Sequence, residues 1–296
     1  MEVIKITNLT KKFGNFKALN EINLSVNQGE IYGFIGPNGA GKSTTIRIIL
    51  GLLKASGGDV KVFGLDAFRD VKEIHKRLAY VPAEAKLWDN LTGGEVIDIL
   101  LKMNNVTDYS LKDKLIKDFD LDPSKKCRTY SKGNRQKVLL IAALAADRDL
   151  YILDEPTSGL DPLMEKVFQE YILELKQRGK TVFLSSHILS EVEKVCDKIA
   201  IIKDGKIVDS GSLNKMRHLT KSKILIKTRD NINLNLEGVS NVEKENNLIS
   251  FFVEHNQLST VLSHLGNYTL DHFEANPPTL EDLFLRHYKQ EGGKDD

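Results

Sequence analysis

A glycine-rich segment near the N-terminus constrains the fold of this chain more than any other feature. It consists of Gly36, Pro37, Asn38, Gly39, Ala40, Gly41, Lys42, Ser43 and Thr44. It matches the phosphate-binding pattern G-x-x-x-x-G-K-[ST] and lies between an apolar predicted strand at residues 31–35 and a helical pattern at residues 45–50. Glycines let successive backbone N–H groups point at phosphate oxygens, and a helix start adds its positive dipole end. The sequence therefore predicts an α/β fold that binds a nucleoside triphosphate.

Two side chains of this loop and two later carboxylates suit hydrolysis of that nucleotide. Lys42 can reach the β- and γ-phosphates, and the Ser43 hydroxyl can coordinate Mg²⁺. The apolar residues 150–153 predict a buried strand that presents Asp154 and Glu155 at its carboxyl end, where open α/β sheets bind ligands. Asp154 is suited to hold Mg²⁺ through water, and Glu155 is suited to accept a proton from the attacking water.

Three further segments follow in the chain. One consists of Ser131, Lys132, Gly133 and Asn134, and Ser131 is the predicted N-cap of a long helix. The others are Ser158, Gly159, Leu160 and Asp161, and the residues Ser185, Ser186 and His187. Together with the two motifs above, their order resembles that of the ATP-binding subunits of ABC transporters over residues 1 to about 215.

That resemblance implies residue roles, with ATP and Mg²⁺ as cofactors. Two cassettes would meet head to tail, so that the signature segment (residues 131–134) of one closes over ATP bound to the other. Residues 158–161 match the D-loop of the family. His187 matches the switch histidine, which contacts the γ-phosphate and orients the attacking water. Phe13 matches the aromatic residue that stacks on adenine, and a buried position in the sheet core is the alternative for this side chain.

The sequence departs from the family pattern at two places. The usual signature is Leu-Ser-Gly-Gly-Gln, whereas this chain has Lys132 at the first glycine. The glutamine that usually follows the strand and proline at residues 80–82 is replaced by Ala83. Either Glu84 takes over from the next position of this coupling loop (residues 83–90), or coupling to a membrane partner uses other contacts.

Periodicity distinguishes three regions before residue 217. Residues 1–30 alternate as a small antiparallel sheet, and residues 84–146 are mostly helical. Strands predicted at residues 150–153, 181–184, 199–202 and 207–208, with helices between the first three, indicate a mainly parallel sheet covered on both faces. These regions form the predicted cassette, residues 1–216, in which the helical subdomain spans residues 84–146.

A polar linker is predicted at residues 217–223, followed by a small α+β accessory domain at residues 224–290 and a frayed tail at residues 291–296. Strands are expected at residues 224–227, 248–253 and 268–273, with a helix at residues 258–265 and a last helix after Pro278. This portion resembles the accessory domain of single-cassette bacterial exporter ATPases. The fold class is thus an ABC-type P-loop NTPase core with an N-terminal antiparallel sheet, a helical subdomain and a C-terminal accessory domain.

Composition limits the partners. The net charge of +1 provides no general attraction to nucleic acid, so no nucleic-acid partner is expected. The longest apolar run, residues 138–146, is too short to cross a bilayer, and the N-terminus lacks the pattern of a signal peptide. We therefore expect a cytoplasmic protein. The resemblance to ABC transporter subunits implies that it is peripheral on the cytoplasmic face of the membrane and pairs with a second cassette and a separate polytopic permease.

The signature residues 130–137 resemble those of a subgroup associated with antibiotic and multidrug export. The resemblance therefore implies ATP hydrolysis that powers export of a small molecule, such as an antibiotic or another drug. The alternative is a soluble switch of the same fold that acts in translation or DNA repair. Such relatives usually carry two cassettes in one chain or a long coiled-coil insertion, and neither feature occurs in this sequence. The cargo, and the choice between two identical and two different cassettes, stay open.

Overall fold

The computed structural model describes residues 1–213 and 221–276. The chain divides into two compact units, Met1–Ser210 and Gly211–Asp296. Each unit is described by itself below.

An antiparallel sheet begins the first unit, as the alternating apolar residues predict. It contains β1 (Glu2–Phe13), β2 (Phe16–Asn27), β4 (Gly57–Val62) and β5 (Leu65–Asp66), in the order β2-β1-β4-β5. Ile4, Ile6 and Val60 lie on its buried face. The pattern of residues 1–30 predicted the β1–β2 pair, whereas the pairing of Ile4 with Val62 brings in a strand from beyond the phosphate-binding loop.

A six-stranded sheet forms the centre of the first unit. Its strands are β3 (Ile31–Ile35), β6 (Leu78–Val81), β7 (Leu150–Asp154), β8 (Thr181–Ser186), β9 (Lys198–Lys203) and β10 (Lys206–Ser212). The order is β10-β9-β3-β8-β7-β6, and the β3–β8, β3–β9, β6–β7 and β7–β8 pairs are parallel. Strands β3, β7 and β8 are buried along their whole length, as expected when a parallel sheet is covered on both faces. The predicted α/β class is confirmed.

Seven helices accompany these strands in the described part of the first unit. They are α1 (Lys42–Ile49), α2 (Val71–His75), α3 (Gly93–Met103), α4 (Ser110–Asp118), α5 (Lys132–Ala145), α6 (Pro162–Gln177) and α7 (Leu189–Val195). Helices α3, α4 and α5 lie in the predicted helical region. Helix α3 begins at a capping box, in which the Thr92 hydroxyl accepts a bond from the Glu95 N–H and the Glu95 carboxylate accepts one from the Thr92 N–H.

The second unit contains an antiparallel sheet in the order β12-β13-β11-β14. Its strands are β11 (Ser222–Thr228), β12 (Val239–Glu245), β13 (Leu248–Val253) and β14 (Leu270–Asn276), and its described helix is α8 (Leu258–Leu265). Ile226, Phe251 and Val261 are fully buried and join sheet and helix in one core. Since sheet and helix are both present, the unit is α+β.

Three boundaries differ from those expected. The compact units separate between Ser210 and Gly211, and Ser222 and Lys223, which were assigned to the linker, belong to β11 because they pair with Val253 and Phe252. Strand β14 begins at Leu270 rather than at residue 268. The rest of the predicted linker before Lys221, the last helix and the tail lie outside the described residues. Among the residues described, no helix is long and apolar enough to span a membrane.

Candidate active site

The phosphate-binding loop leaves the end of the central strand β3 and enters α1. Gly41 is the N-cap of α1 with φ of 112°, and it brings no side chain to cap the helix. A Cβ atom at Gly36 would lie 2.3 Å from the Ile202 carbonyl oxygen, so only glycine fits the loop at this position. The first N–H groups of α1, which include those of Ser43 and Thr44, have no partner within the helix and can bind an anion.

Lys42 is buried within this loop. Its Nζ atom donates to the carbonyl oxygens of Gly36 at 2.6 Å and Pro37 at 3.3 Å. The same Nζ lies 3.1 Å from Glu155 Oε1. One ammonium group thus joins the phosphate-binding loop to the acidic end of β7.

Asp154 and Glu155 lie at the end of β7, where the sequence placed them. Asp154 is 3% exposed, and its Oδ1 accepts a bond of 2.5 Å from the Ser185 hydroxyl. The Glu155 N–H donates to the Ser185 carbonyl oxygen at 3.1 Å. Burial, with the negative charge of Asp154 as a smaller cause, raises the pKa of the nearby Tyr80 hydroxyl to about 12, so Tyr80 stays neutral. Strand β8 thus fixes both acidic residues through one serine.

The Glu155 carboxylate is held from two sides. His187 Nδ1 lies 2.7 Å from Oε2, whereas Oε1 is buried, makes the ion pair with Lys42 and accepts no hydrogen bond. Glu155 also has a φ of 48°, in the left-handed region that residues other than glycine rarely adopt. A strained backbone and an oxygen without a hydrogen bond are features that cluster at functional sites.

The signature segment and the D-loop touch each other within this chain. Ser131 caps α5 by accepting a bond of 3.2 Å from the Asn134 N–H. A Cβ atom at Gly133 would lie 2.2 Å from the Gly159 carbonyl oxygen, so the two backbones are in close contact. Lys132, the departure from the family pattern, donates from Nζ to the Ser158 hydroxyl at 2.6 Å.

Two further D-loop residues have structural contacts. Leu160 is buried, and Asp161 caps α6 by accepting bonds from the N–H groups of Leu163 and Met164 at 3.1 and 3.0 Å. Lys132 therefore binds a D-loop whose far end is fixed by a helix cap.

Phe13 lies outside the core. Its side chain is 50% exposed at the end of the β1–β2 hairpin, and Lys11 Nζ lies 4.9 Å from the ring centroid. This placement excludes the alternative of a sheet-core residue and leaves the ring free to stack on a ligand.

The coupling loop is exposed. Glu84 extends into solvent, where its nearest cation among the described residues is Lys86, with Nζ and Oε2 3.9 Å apart. Ala83 is part-buried and has no polar side-chain atom. The carbonyl oxygen of Pro82, just before this loop, accepts a bond of 3.5 Å from Gln136 of α5.

The motif analysis gave no role to two residues near this site. Gln136, 1% exposed, links the coupling loop to the signature helix. Glu191 of α7 accepts a bond of 2.7 Å from the Thr157 hydroxyl. Both stand among other polar residues near the start of a helix, so no signal in the sequence distinguished them.

Comparison with known proteins identifies the family to which this chain belongs. The ABC transporter family profile matches residues 19–158, and the profile of the ATP-binding protein DrrA1-3-like C-terminal domain matches residues 211–288. The bacitracin transport ATP-binding protein BcrA of Bacillus licheniformis is 34% identical over 267 residues, 89% of this chain and 86% of the relative. The chain therefore belongs to the family of ABC transporter ATP-binding subunits.

Members of this family bind ATP and hydrolyse it in transport, and this chain is an ATPase. The ABC transporter ATP-binding protein NatA of Bacillus subtilis is 32% identical over 75% of this chain and 95% of that protein. The dimeric structure of the ATP-binding cassette MJ0796, in a post-hydrolysis state with ADP and Pi, superposes with a TM-score of 0.64 at 27% identity. It covers 71% of this chain and 98% of MJ0796.

Proposed function

We propose that this chain powers export of an antibiotic-class small molecule through a separate membrane permease. The observation that carries this proposal is the likeness to BcrA, named for bacitracin transport, over 89% of the chain. The match of residues 211–288 to the DrrA1-3-like C-terminal domain extends that likeness beyond the cassette. None of the relatives reported above is named for translation or DNA repair, so nothing favours the soluble switch.

The proposed roles of the site residues follow from their contacts. Lys42 moves from Glu155 to the β- and γ-phosphates, which are stronger acceptors for a buried ammonium. Release from that ion pair leaves Glu155 Oε1 free to accept a proton from water, while His187 orients the other oxygen. Phe13 stacks on the adenine ring.

The donors at the site also fit Mg²⁺. This ion is usually held by one or two carboxylates, hydroxyl groups, phosphate oxygens and water, so it needs no cluster of protein ligands. Asp154 supplies a buried carboxylate with Oδ2 still available, and Ser43 supplies a hydroxyl at the start of α1. When bound, Mg²⁺ would neutralise charge on the phosphates. The chain's own part is to hold Asp154 in place through Ser185.

The proposed dimer uses the exposed signature surface, made of Ser131, Lys132 and Gly159. In a head-to-tail pair this surface faces the phosphate-binding loop of the other cassette. Two observations support this arrangement: the free helix N-terminus at Ser131, and the dimeric form of MJ0796. A γ-phosphate that bridges both chains would close the pair, and hydrolysis would open it.

The proposed place of action is the cytoplasmic face of the membrane, beside the permease. No helix of the described residues is long and apolar enough to cross a bilayer. In the proposed complex, cargo passes through the permease. The exposed Trp88 of the coupling loop belongs to the surface that would face this partner.

Co-expression tests the export function. The genes beside this chain's gene are first searched for one that encodes a polytopic membrane protein, and the two proteins are then expressed together in a bacitracin-sensitive host. We expect the two proteins to co-purify from membranes and to raise the bacitracin concentration that the host survives by several-fold. The same pair carrying Glu155→Gln should co-purify without conferring resistance. If a co-purified pair hydrolyses ATP but gives no resistance to bacitracin or to a panel of other antibiotics, drug export is the wrong function while the ATPase assignment stands.

Trp88 fluorescence tests the coupling loop. Trp88 is 54% exposed and is the only tryptophan of the chain, so its emission reports this loop alone. ATP with Mg²⁺ should change the emission because strand β6 and Gln136 connect the loop to the site. The change should be smaller in Glu84→Ala, if Glu84 replaces the missing glutamine. An emission that ignores ATP, both in the isolated subunit and in the membrane complex, would remove this loop from the coupling path.

A further inference from the structure

A carboxylate outside the known motifs contacts both the segment that carries Glu155 and the segment that carries His187. Glu191, in the first turn of α7, accepts a 2.7 Å bond at Oε2 from the Thr157 hydroxyl. The Ser186 hydroxyl lies 3.4 Å from the same oxygen. Thr157 and Ser186 are buried, at 7% and 2% exposure, so these contacts are shielded from water. One oxygen atom therefore joins two buried segments that are distant in sequence.

Those two segments carry the catalytic pair. Thr157 lies two residues after Glu155, and Ser186 immediately precedes His187. The Ser186 hydroxyl also accepts a bond of 2.9 Å from the Ile188 N–H, so it closes the turn around His187. Displacement of Glu191 would therefore loosen the backbone on which both members of the 2.7 Å Glu155–His187 contact depend.

Glu155 needs such support. Its φ of 48° is strained for a residue with a side chain, and such a conformation persists only where surrounding contacts hold it. On the N-terminal side, the Glu155 N–H is held by the Ser185 carbonyl oxygen at 3.1 Å. On the C-terminal side, the Thr157–Glu191 bond and the Lys132–Ser158 bond are the side-chain contacts that hold the turn, and only the first joins it to the segment of His187.

Burial of the Glu191 carboxyl group costs more free energy than burial of a purely structural side chain would. Burial raises the pKa of its carboxyl group above the ordinary value, the Thr157 bond opposes this rise, and the negative charges of Glu165 and Glu155 add to it. No cation is paired with Glu191 among the described residues. Burial of a carboxylate without a paired cation destabilises a fold unless hydrogen bonds compensate for the lost hydration.

We propose that Glu191 is a positioning residue for ATP hydrolysis, which holds Glu155 and His187 in register through Thr157 and Ser186. It touches neither the nucleotide nor the attacking water. This inference rests on the proposed roles of Glu155 and His187. It predicts a defect in kcat rather than in ATP affinity, because Lys42 and the phosphate-binding loop do not contact Glu191.

Steady-state ATPase kinetics of the full-length chain test this role. Glu191→Ala and Thr157→Val should each lower kcat by roughly 10- to 100-fold, the usual effect of a small misplacement of reacting groups. KM for ATP should stay within about threefold of wild type. Glu191→Gln keeps an acceptor for Thr157 and should restore most of kcat, although its neutral bond is weaker. Glu170→Ala makes the same change at an exposed position of α6 and serves as the matched control.

The double variant separates this role from a general structural effect. Glu191→Ala combined with Thr157→Val should be no slower than Glu191→Ala alone, since Glu191→Ala already removes the bond that Thr157→Val removes. Three results would each overturn the proposal. They are a double variant whose loss in kcat is the product of the two single losses, a wild-type kcat in Glu191→Ala, and a fall in ATP affinity as large as the fall in kcat. If Glu191→Ala does not fold, Thr157→Val decides by itself through its kcat. Glu155→Gln is measured in parallel: a wild-type rate there would refute the role of Glu155, whereas a slow Glu155→Gln beside a fast Glu191→Ala would refute only the role of Glu191.

Discussion

Glu155→Gln should bind ATP as the wild type does and hydrolyse it roughly 10²–10⁴-fold more slowly, the range for loss of a positioned general base. Glutamine preserves the shape of the side chain but has no basic oxygen to accept a proton from water. It also removes the ion pair in which Lys42 Nζ lies 3.1 Å from Oε1. Lys42 then loses no phosphate contact, so ATP affinity should be kept.

The same variant should accumulate as an ATP-bound dimer. Closure depends on the γ-phosphate, which is present, whereas reopening depends on its hydrolysis, which fails. Size-exclusion chromatography with and without ATP and Mg²⁺ measures the dimer, and release of phosphate measures turnover. Glu170→Gln, the same replacement at an exposed position of α6, is the control and should behave as wild type. A Glu155→Gln protein that turns over ATP at the wild-type rate would exclude Glu155 as the base.

The elements that carry the site could be predicted from the sequence because their signals are local. An apolar run followed by glycines, Lys42 and a helical period specifies a strand, a loop and a helix without any knowledge of the rest of the chain. The pair Asp154 and Glu155 follows another apolar run in the same way. Parallel pairing of β3 and β7 with β8 then brings both strand ends to one edge of the sheet.

Contacts between distant residues could not be predicted in this way. The bond between Lys132 and Ser158 spans 26 residues, and that between Thr157 and Glu191 spans 34. Each depends on how helices pack on the sheet, and periodicity does not report such packing. The strand β4 shows the same limit, because its own residues predict a strand but not its pairing with β1.

The first residue of β11 could not be predicted from composition either. The basic segment before residue 224 resembles a linker in its polar residues, yet Lys223 alternates with the buried Ile224 and Ser222 in β11. Exposed lysines on one face of a strand and polar residues in a linker have the same composition. Only the pairing of Ser222 with Val253 distinguishes them.

Lys42→Ala should weaken the binding of ATP itself. Lys42 is 6% exposed, and the carbonyl oxygens of Gly36 and Pro37 keep its Nζ inside the phosphate-binding loop, so the ammonium needs only a short movement from Glu155 to reach bound phosphates. Hydrogen bonds to a charged group contribute about 1.5–3 kcal/mol. Their loss corresponds to a roughly 10- to 100-fold rise in Kd for ATP.

Calorimetric titration of three nucleotides locates the effect. The rise in Kd should be largest for ATP, smaller for ADP and absent for AMP, because Lys42 reaches the β- and γ-phosphates only. The exposed Lys72→Ala serves as the control for loss of one positive charge. Thermal unfolding of both variants shows whether the loss of the Lys42–Glu155 ion pair has disturbed the fold. An unchanged Kd for ATP in a folded Lys42→Ala protein would mean that this loop is not the binding site. Equal losses for ATP and AMP would place Lys42 near the nucleoside instead of the terminal phosphates, and the proposed release of Glu155 by ATP would then have no driving contact.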